Sequence, residues 1–97
     1  MGLSAIEEEV IWACSDDYEA ARTIFAGIGQ RAEQPVTEAS IRSVLLSLAE
    51  RGYVHAYRFD KPTGKWVVLA PEAAAKDPEP WFAATARGLQ EVDDEAS

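Results

Sequence analysis

The feature that most constrains this chain is a helical apolar stripe that ends in glycine and is followed at once by two β-type runs, all within residues 37–69. Apolar residues spaced three and four apart lie on one face of a helix. Thr37 suits the N-cap, and Gly52 suits the C-terminal stop because glycine accepts a left-handed backbone. The sequence therefore predicts a helix over 37–51. Its stripe consists of Ile41, Val44, Leu45 and Leu48.

A β-hairpin is predicted directly after this helix. Residues 53–59 and 66–69 are rich in aromatic and β-branched residues, which favour strands. The segment between them contains Pro62, which fixes φ, and Gly64, which can adopt positive φ. Alternate residues of the first strand form two sets that point to opposite faces. One set is largely aromatic and consists of Tyr53, His55, Tyr57 and Phe59; the other consists of Val54, Ala56 and Arg58. The sequence leaves open which set faces the core.

Two further helices are expected before this unit. Leu3, Ile6, Val10 and either Ala13 or Cys14 fall on one face of a first helix, for which Ser4 is a suitable N-cap. A second amphipathic helix is expected from Tyr18 to Ile28, closed by Gly29. Asp16 and Glu19, three residues apart, resemble a variant capping box at its start. A polar connection over 29–36 then leads to Thr37.

After the hairpin, a proline-bounded insert over 71–80 favours one short helical turn within a loop. Residues 81–85 favour a third strand, and 87–92 a short final helix. We therefore expect a single domain over 1–92. The acidic segment 93–97 is expected to be disordered.

Composition limits the class of protein. A chain of 97 residues that is 47% hydrophobic and 27% charged is typical of one soluble domain. It has no apolar run of about 18 residues and no basic, apolar leader, so we expect no membrane association and a cytoplasmic location. One cysteine, Cys14, and one histidine, His55, exclude an internal disulfide and a Cys/His zinc cluster. No cofactor or metal is expected.

No catalytic motif is evident. The letters of Gly27-Ile28-Gly29-Gln30-Arg31-Ala32 match a dinucleotide-binding pattern, but that pattern must open a helix after a strand, and here it closes a helix. The sequence contains no Gly-x-Ser-x-Gly nucleophile motif. We predict that the protein is not an enzyme.

The segment ASIRSVLLSLAERGYVHAYRFD, followed by a turn and WVVL, resembles the recognition helix and wing of bacterial winged helix-turn-helix regulators of the MarR-like and PadR-like groups. WFAATARGLQEV is similar to the part of those families in which a strand reaches a Thr-x-x-Gly helix start, here Thr85 to Gly88. The resemblance implies an α+β winged helix with a three-helix core and an antiparallel β-hairpin wing. It also implies binding to double-stranded DNA and a role in transcription regulation.

Candidate DNA contacts lie on the predicted recognition helix and on the wing. Short polar side chains and an arginine on the helix face opposite the apolar stripe could approach base edges, and basic wing residues could contact phosphates. The predicted nucleic-acid-binding residues are Thr37, Ala39, Ser40, Arg42, Ser43, Ser47, Arg58, Lys61, Thr63 and Lys65.

Charge supports a competing hypothesis. The net charge is −8, which opposes attraction to phosphates. Only segment 53–71, with three bases and one acid, is net positive. The alternative is therefore an acidic winged helix that acts as a protein–protein interaction module without binding DNA.

Three tryptophans are more than a core of this size can easily bury. The excess predicts a homodimer interface formed by the first helix and the C-terminal segment from Trp81 to Val92. The expected interface residues are Trp12, Trp81, Phe82 and Leu89.

Overall fold

A computed structural model describes residues 3–28 and 36–96, and these residues form an α+β domain. The helices are α1 (Ala5–Ala13), α2 (Ala21–Ile28), α3 (Glu38–Glu50), α4 (Pro71–Lys76) and α5 (Ala86–Ala96). The strands are β1 (Glu19–Ala20), β2 (Val54–Asp60), β3 (Lys65–Leu69) and β4 (Trp81–Ala84). Most of the expected connection over 29–36, together with Ser97, lies outside the described residues.

Helix α3 begins and ends close to where the sequence predicted. Thr37 caps it, accepting a hydrogen bond from the Ser40 N–H at 3.0 Å, and Ser40 Oγ accepts one from the Thr37 N–H at 2.9 Å. Gly52 adopts the left-handed conformation with φ of 83°. These local groups satisfy backbone donors at one end of the helix and turn the chain at the other.

Helix α1 also begins as predicted, with Ser4 and Glu7 forming a capping box. The expected capping box of Asp16 and Glu19 is wrong, because Glu19 lies in strand β1 and α2 begins at Ala21. Helix α5 continues to Ala96, past the predicted end at residue 92 and through most of the segment that was expected to be disordered.

The four strands form one antiparallel sheet in the order β1-β4-β2-β3. The predicted hairpin of β2 and β3 is confirmed, with Arg58 opposite Val67 and a turn in which Gly64 has φ of 67°. Strand β4 pairs with the other side of β2, so that Val54 lies opposite Ala84. The chain thus leaves β2 through β3 and α4 and returns to it through β4.

The core lies between the helices and one face of the sheet. Val54 and Ala56 of β2 are buried, whereas His55 and Phe59 are exposed. The set that contains Val54 and Ala56 therefore faces the core, which answers the question that the sequence left open. The large buried side chains of the core are Val10, Ile11, Ile24, Ile28, Ile41, Leu45, Leu48, Val54, Phe82 and Val92.

Candidate interaction surface

The outward face of α3 consists mainly of small polar groups. Ala39, Ser43 and Ser47 are exposed, as expected. Thr37 and Ser40 are exposed too, but their hydroxyl groups serve the N-cap of the helix. The carboxylate of Glu50 lies on this face, and that of Glu38 is exposed at the N-terminal end of the helix, where it lines a cleft beside α2.

Arg42 does not project from α3 as the sequence predicted. Its guanidinium group donates hydrogen bonds to the carbonyl oxygens of Ala74, Ala75 and Pro78, each at 3.2 Å, and to that of Asp77. These carbonyls belong to the C-terminal end of α4 and the residues after it. The last carbonyls of a helix have no partners within the helix and attract cations. Arg42 therefore caps α4 and ties it to α3.

Arg51, the residue that ends α3, is also engaged. Its guanidinium group forms an ion pair with the Glu7 carboxylate of α1 and lies 5.3 Å from the centre of the Tyr53 ring. Burial acts to raise the pKa of Glu7, but the hydrogen bond from the Ser4 N–H and the charge of Arg51 together hold that pKa below its ordinary value. Both cations of the α3 segment thus have partners within the fold.

The hairpin presents the basic groups that the sequence predicted there. Lys61 and Lys65 are exposed at its tip, and Arg58 is exposed on β2 opposite Val67. Thr63 is exposed as well, but its hydroxyl donates to the Asp60 carboxylate at 2.6 Å and so stabilises the turn. The tip is a small cationic area on an otherwise acidic chain.

An aromatic face covers the side of the sheet that points away from the core. The rings of Tyr18 and Trp66 stack with centroids 4.1 Å apart, and Trp66 meets Trp81 edge to face at 5.7 Å. The ring centroids of Tyr57 and Tyr18 are 4.8 Å apart. Burial of Tyr57 raises its pKa, and the neighbouring Tyr18 adds to this effect. We define the aromatic face as Tyr18, His55, Tyr57, Phe59, Trp66 and Trp81.

Strand β3 is an edge of the sheet, since no described strand pairs with its other side. Two consecutive valines on it are exposed, Val67 at 39% and Val68 at 59%. Consecutive residues of a strand point to opposite faces. Both faces of this edge therefore present apolar surface next to unpaired backbone groups.

The predicted dimer interface does not form one surface. Trp81 and Phe82 are consecutive in β4, so they point to opposite faces of the sheet. Phe82 is fully buried in the core, which corrects the expectation that it lies at an interface, and Trp81 belongs to the aromatic face. Leu89 is half-buried on α5, and Trp12 of α1 is 50% exposed.

A cleft of about 300 Å³ lies between α2, the start of α3 and residues 78–80. The Arg22 and Glu79 side chains on its rim form an ion pair at 2.9 Å, and Arg42 at its base is already bonded to carbonyls. Arg22, Glu79 and Arg42 thus have partners, and Glu38 also lines the cleft as an exposed carboxylate. Its lining consists of Ala21, Arg22, Glu38, Ala39, Arg42, Pro78, Glu79 and Pro80.

The buried thiol of Cys14 donates a hydrogen bond to the Val10 carbonyl at 3.2 Å. Burial, with a contribution from Glu19, raises its pKa to about 12, so it stays protonated at neutral pH. Within residues 3–28 and 36–96, no group of three metal-ligating side chains converges.

Comparisons of this chain with protein-family models, with curated proteins and with solved structures gave no significant match. None of the helices in the described part of the chain has the length and apolar character required to cross a bilayer.

Proposed function

We propose that this protein is a winged-helix domain that acts as a protein–protein interaction module. The order of elements supports the assignment to this class. Among the described residues, three helices precede the β2–β3 hairpin, and Gly52 makes the turn between α3 and β2. In this assignment α3 occupies the place of the recognition helix and the hairpin that of the wing.

The observation that carries the proposal is the position of Arg42. A recognition helix needs cations or amides that can reach phosphates and base edges. The guanidinium of Arg42, the cation within α3, is bonded to four carbonyl oxygens of the α4 segment. The exposed side chains of α3 then offer hydroxyls together with the carboxylates of Glu50 and, at the N-terminal end, of Glu38, which repel phosphates.

The sheet offers surface of another kind. The exposed edge of β3 and the adjoining aromatic face combine apolar area with unpaired backbone donors and acceptors. An added strand uses such backbone groups for affinity and neighbouring side chains for specificity. A polypeptide therefore fits this region of the protein better than a nucleic-acid duplex fits α3.

A titration with labelled duplex DNA at low salt, followed by fluorescence anisotropy, tests the proposal. We expect no saturable binding at protein concentrations below about 10⁻⁴ M, the weak end of non-specific dissociation constants at physiological salt. The exposed cations Arg58, Lys61 and Lys65 favour DNA binding through the wing as the second candidate function. In that case affinity would fall with salt, with a log–log slope no steeper than about −2.7 for three phosphate contacts.

Variants separate these two functions. If a duplex binds, and if Lys61→Gln with Lys65→Gln flattens the salt slope, the interaction proposal is wrong and wing-mediated DNA binding replaces it. Ser43→Gln on the exposed face of α3 is the control, since it changes no charge. A photo-crosslinking residue at Val68 should also yield a discrete protein adduct in cells, whereas one at Ser43 should not.

A further inference from the structure

The middle of the β3 edge lacks the usual protection against strand pairing. Natural edge strands are kept apart by charged side chains, especially lysine, by prolines, bulges or very short length, or by a helix or loop that covers the edge. Strand β3 pairs with β2 without interruption over all five of its residues, and it has neither a proline nor a bulge. Its one charged residue, Lys65, stands at the end, while Val67 and Val68 are exposed in its middle.

We propose that a second copy of this chain pairs with β3, antiparallel and centred on Val67, so that two sheets join into one. This inference rests on the proposed function and names the partner of that surface. Centring on Val67 pairs all five residues, which no shifted register achieves. It places Val67 opposite Val67 of the second copy, and Trp66 opposite Val68 of the second copy.

Charge at the two ends of β3 favours a second copy as the occupant. The strand begins beside the cationic turn, with Lys61 and Lys65, and runs at its other end into α4, where Glu72 is exposed in the first turn. Antiparallel pairing brings the cationic end of each copy towards Glu72 of the other. The two ends of the edge are thus complementary to each other in charge.

Side-chain packing agrees with this register. A two-fold axis perpendicular to the sheet keeps the faces of both copies on the same side. Trp66 would then contact Val68 of the second copy on the outer side and extend the aromatic face across the interface. The two Val67 side chains would meet on the other side. Aromatic and β-branched residues are favourable cross-strand partners.

Sedimentation equilibrium of the purified chain tests the proposal, and we expect the mass of two chains at several hundred micromolar. Val68→Lys should reduce this to the mass of one chain, because it adds a charge to the middle of the edge. Ser43→Lys adds the same charge on α3 and should leave the dimer intact. Circular dichroism of each variant confirms that the fold persists, as the exposure of both positions allows.

Disulfide trapping tests the register. Opposed residues of an antiparallel pair have Cα atoms about 4.5–5.5 Å apart, within the range that a disulfide spans. Val67→Cys should therefore cross-link rapidly to itself under mild oxidation, whereas Val68→Cys, which faces Trp66 of the second copy, should cross-link at least tenfold more slowly. Both variants are made with Cys14→Ala to exclude the native thiol. Faster trapping at position 68 would overturn this register.

A charge exchange completes the test. Glu72→Lys should weaken the dimer, and adding Lys65→Glu should restore it. A chain that is monomeric at several hundred micromolar, or a dimer that survives Val68→Lys, overturns the self-pairing. Either result leaves the proposed function in place if the chain still binds no duplex, whereas duplex binding overturns the proposed function whatever the sedimentation mass.

Discussion

A few specific hydrogen bonds and one close backbone contact join the Gly52–Tyr53 turn to the start of α5. The Thr85 hydroxyl donates to the Gly52 carbonyl at 2.8 Å and accepts from the Gly88 N–H at 3.0 Å. The Thr85 N–H donates to the Tyr53 carbonyl at 3.1 Å. Gly88 packs so closely here that a Cβ atom on it would lie 2.1 Å from the Tyr53 oxygen. The Thr-x-x-Gly pattern therefore fixes the start of α5 against the end of α3.

Gly88→Ala should destabilise the domain by about 1–3 kcal/mol, because the added methyl group overlaps backbone that cannot move away cheaply. The measurement is urea unfolding. Gly27→Ala in α2 is the matched control, since a Cβ there meets no atom within 4 Å. It should leave stability unchanged or raise it by up to about 1 kcal/mol through helix propensity. Equal losses in the two variants would contradict the proposed contact.

At the level of elements, the position of α4 depends on Arg42, a residue remote from it in sequence. It has six residues and no side-chain hydrogen bond at its N-cap. Arg42 binds the carbonyls at its other end, and Ala74 anchors it in the core. A helix this short is not stable on its own. Its position is therefore maintained by α3.

Arg42→Ala should cost about 1–3 kcal/mol in urea unfolding, since hydrogen bonds to a charged group are lost and the carbonyls must find water. The loss should centre on α4, so the amide of Asp77, which bonds to the Ala73 carbonyl, should exchange its hydrogen faster. Arg42→Lys should recover only part of the lost stability, because the lysine ammonium lacks the planar set of donors of a guanidinium. Ser43→Ala, the neighbouring control, should change stability by less than about 0.5 kcal/mol. An unchanged exchange rate at Asp77 would rule out this capping role.

The elements that the sequence predicted well are those determined by nearby residues. Helix α3 has its cap, stripe and glycine within one segment, and the hairpin has Gly64 in its own turn. The carbonyl groups that Arg42 binds lie more than thirty positions away, so no local sequence pattern predicts this contact. Trp81 and Phe82 show the same limit, because strand alternation predicts opposite faces but not which face the helices cover. In β2, Tyr57 and Phe59 pack against Tyr18 and Trp66 on the outer face of the sheet instead of in the core.

At the scale of the whole molecule, the ion pair of Glu7 and Arg51 joins α1 to the end of α3. The pKa of Glu7 is lower in the fold than its ordinary value of 4.5. A carboxyl group with a lowered folded pKa contributes stability that is fully present above its unfolded pKa and is lost as pH falls through the folded pKa. Acid should therefore loosen the contact between these helices.

Glu7→Gln should lower stability at neutral pH, and the difference from the native chain should shrink as pH falls below about 4.5 and vanish below the folded pKa. Urea unfolding at several pH values measures it. Glu9→Gln, on the exposed side of α1, is the control and should show little difference at any pH. A Glu7→Gln difference that stays constant across the acid range would show that the carboxylate charge does not matter.

The sheet order also bears on how the chain folds while it is synthesised. Strand β1 at residues 19–20 finds its partner in β4 at residues 81–82, and the core that encloses Val10 includes Val92. Translation adds residues in order, at about 5–20 per second. The β2–β3 hairpin can therefore form on the ribosome, but β1 must wait until most of the described chain has been made. In a nascent chain stalled before β4, helix α1 with Val10 would lack the β4 and α5 surfaces that it contacts in the fold, and chaperones bind such uncovered apolar surface.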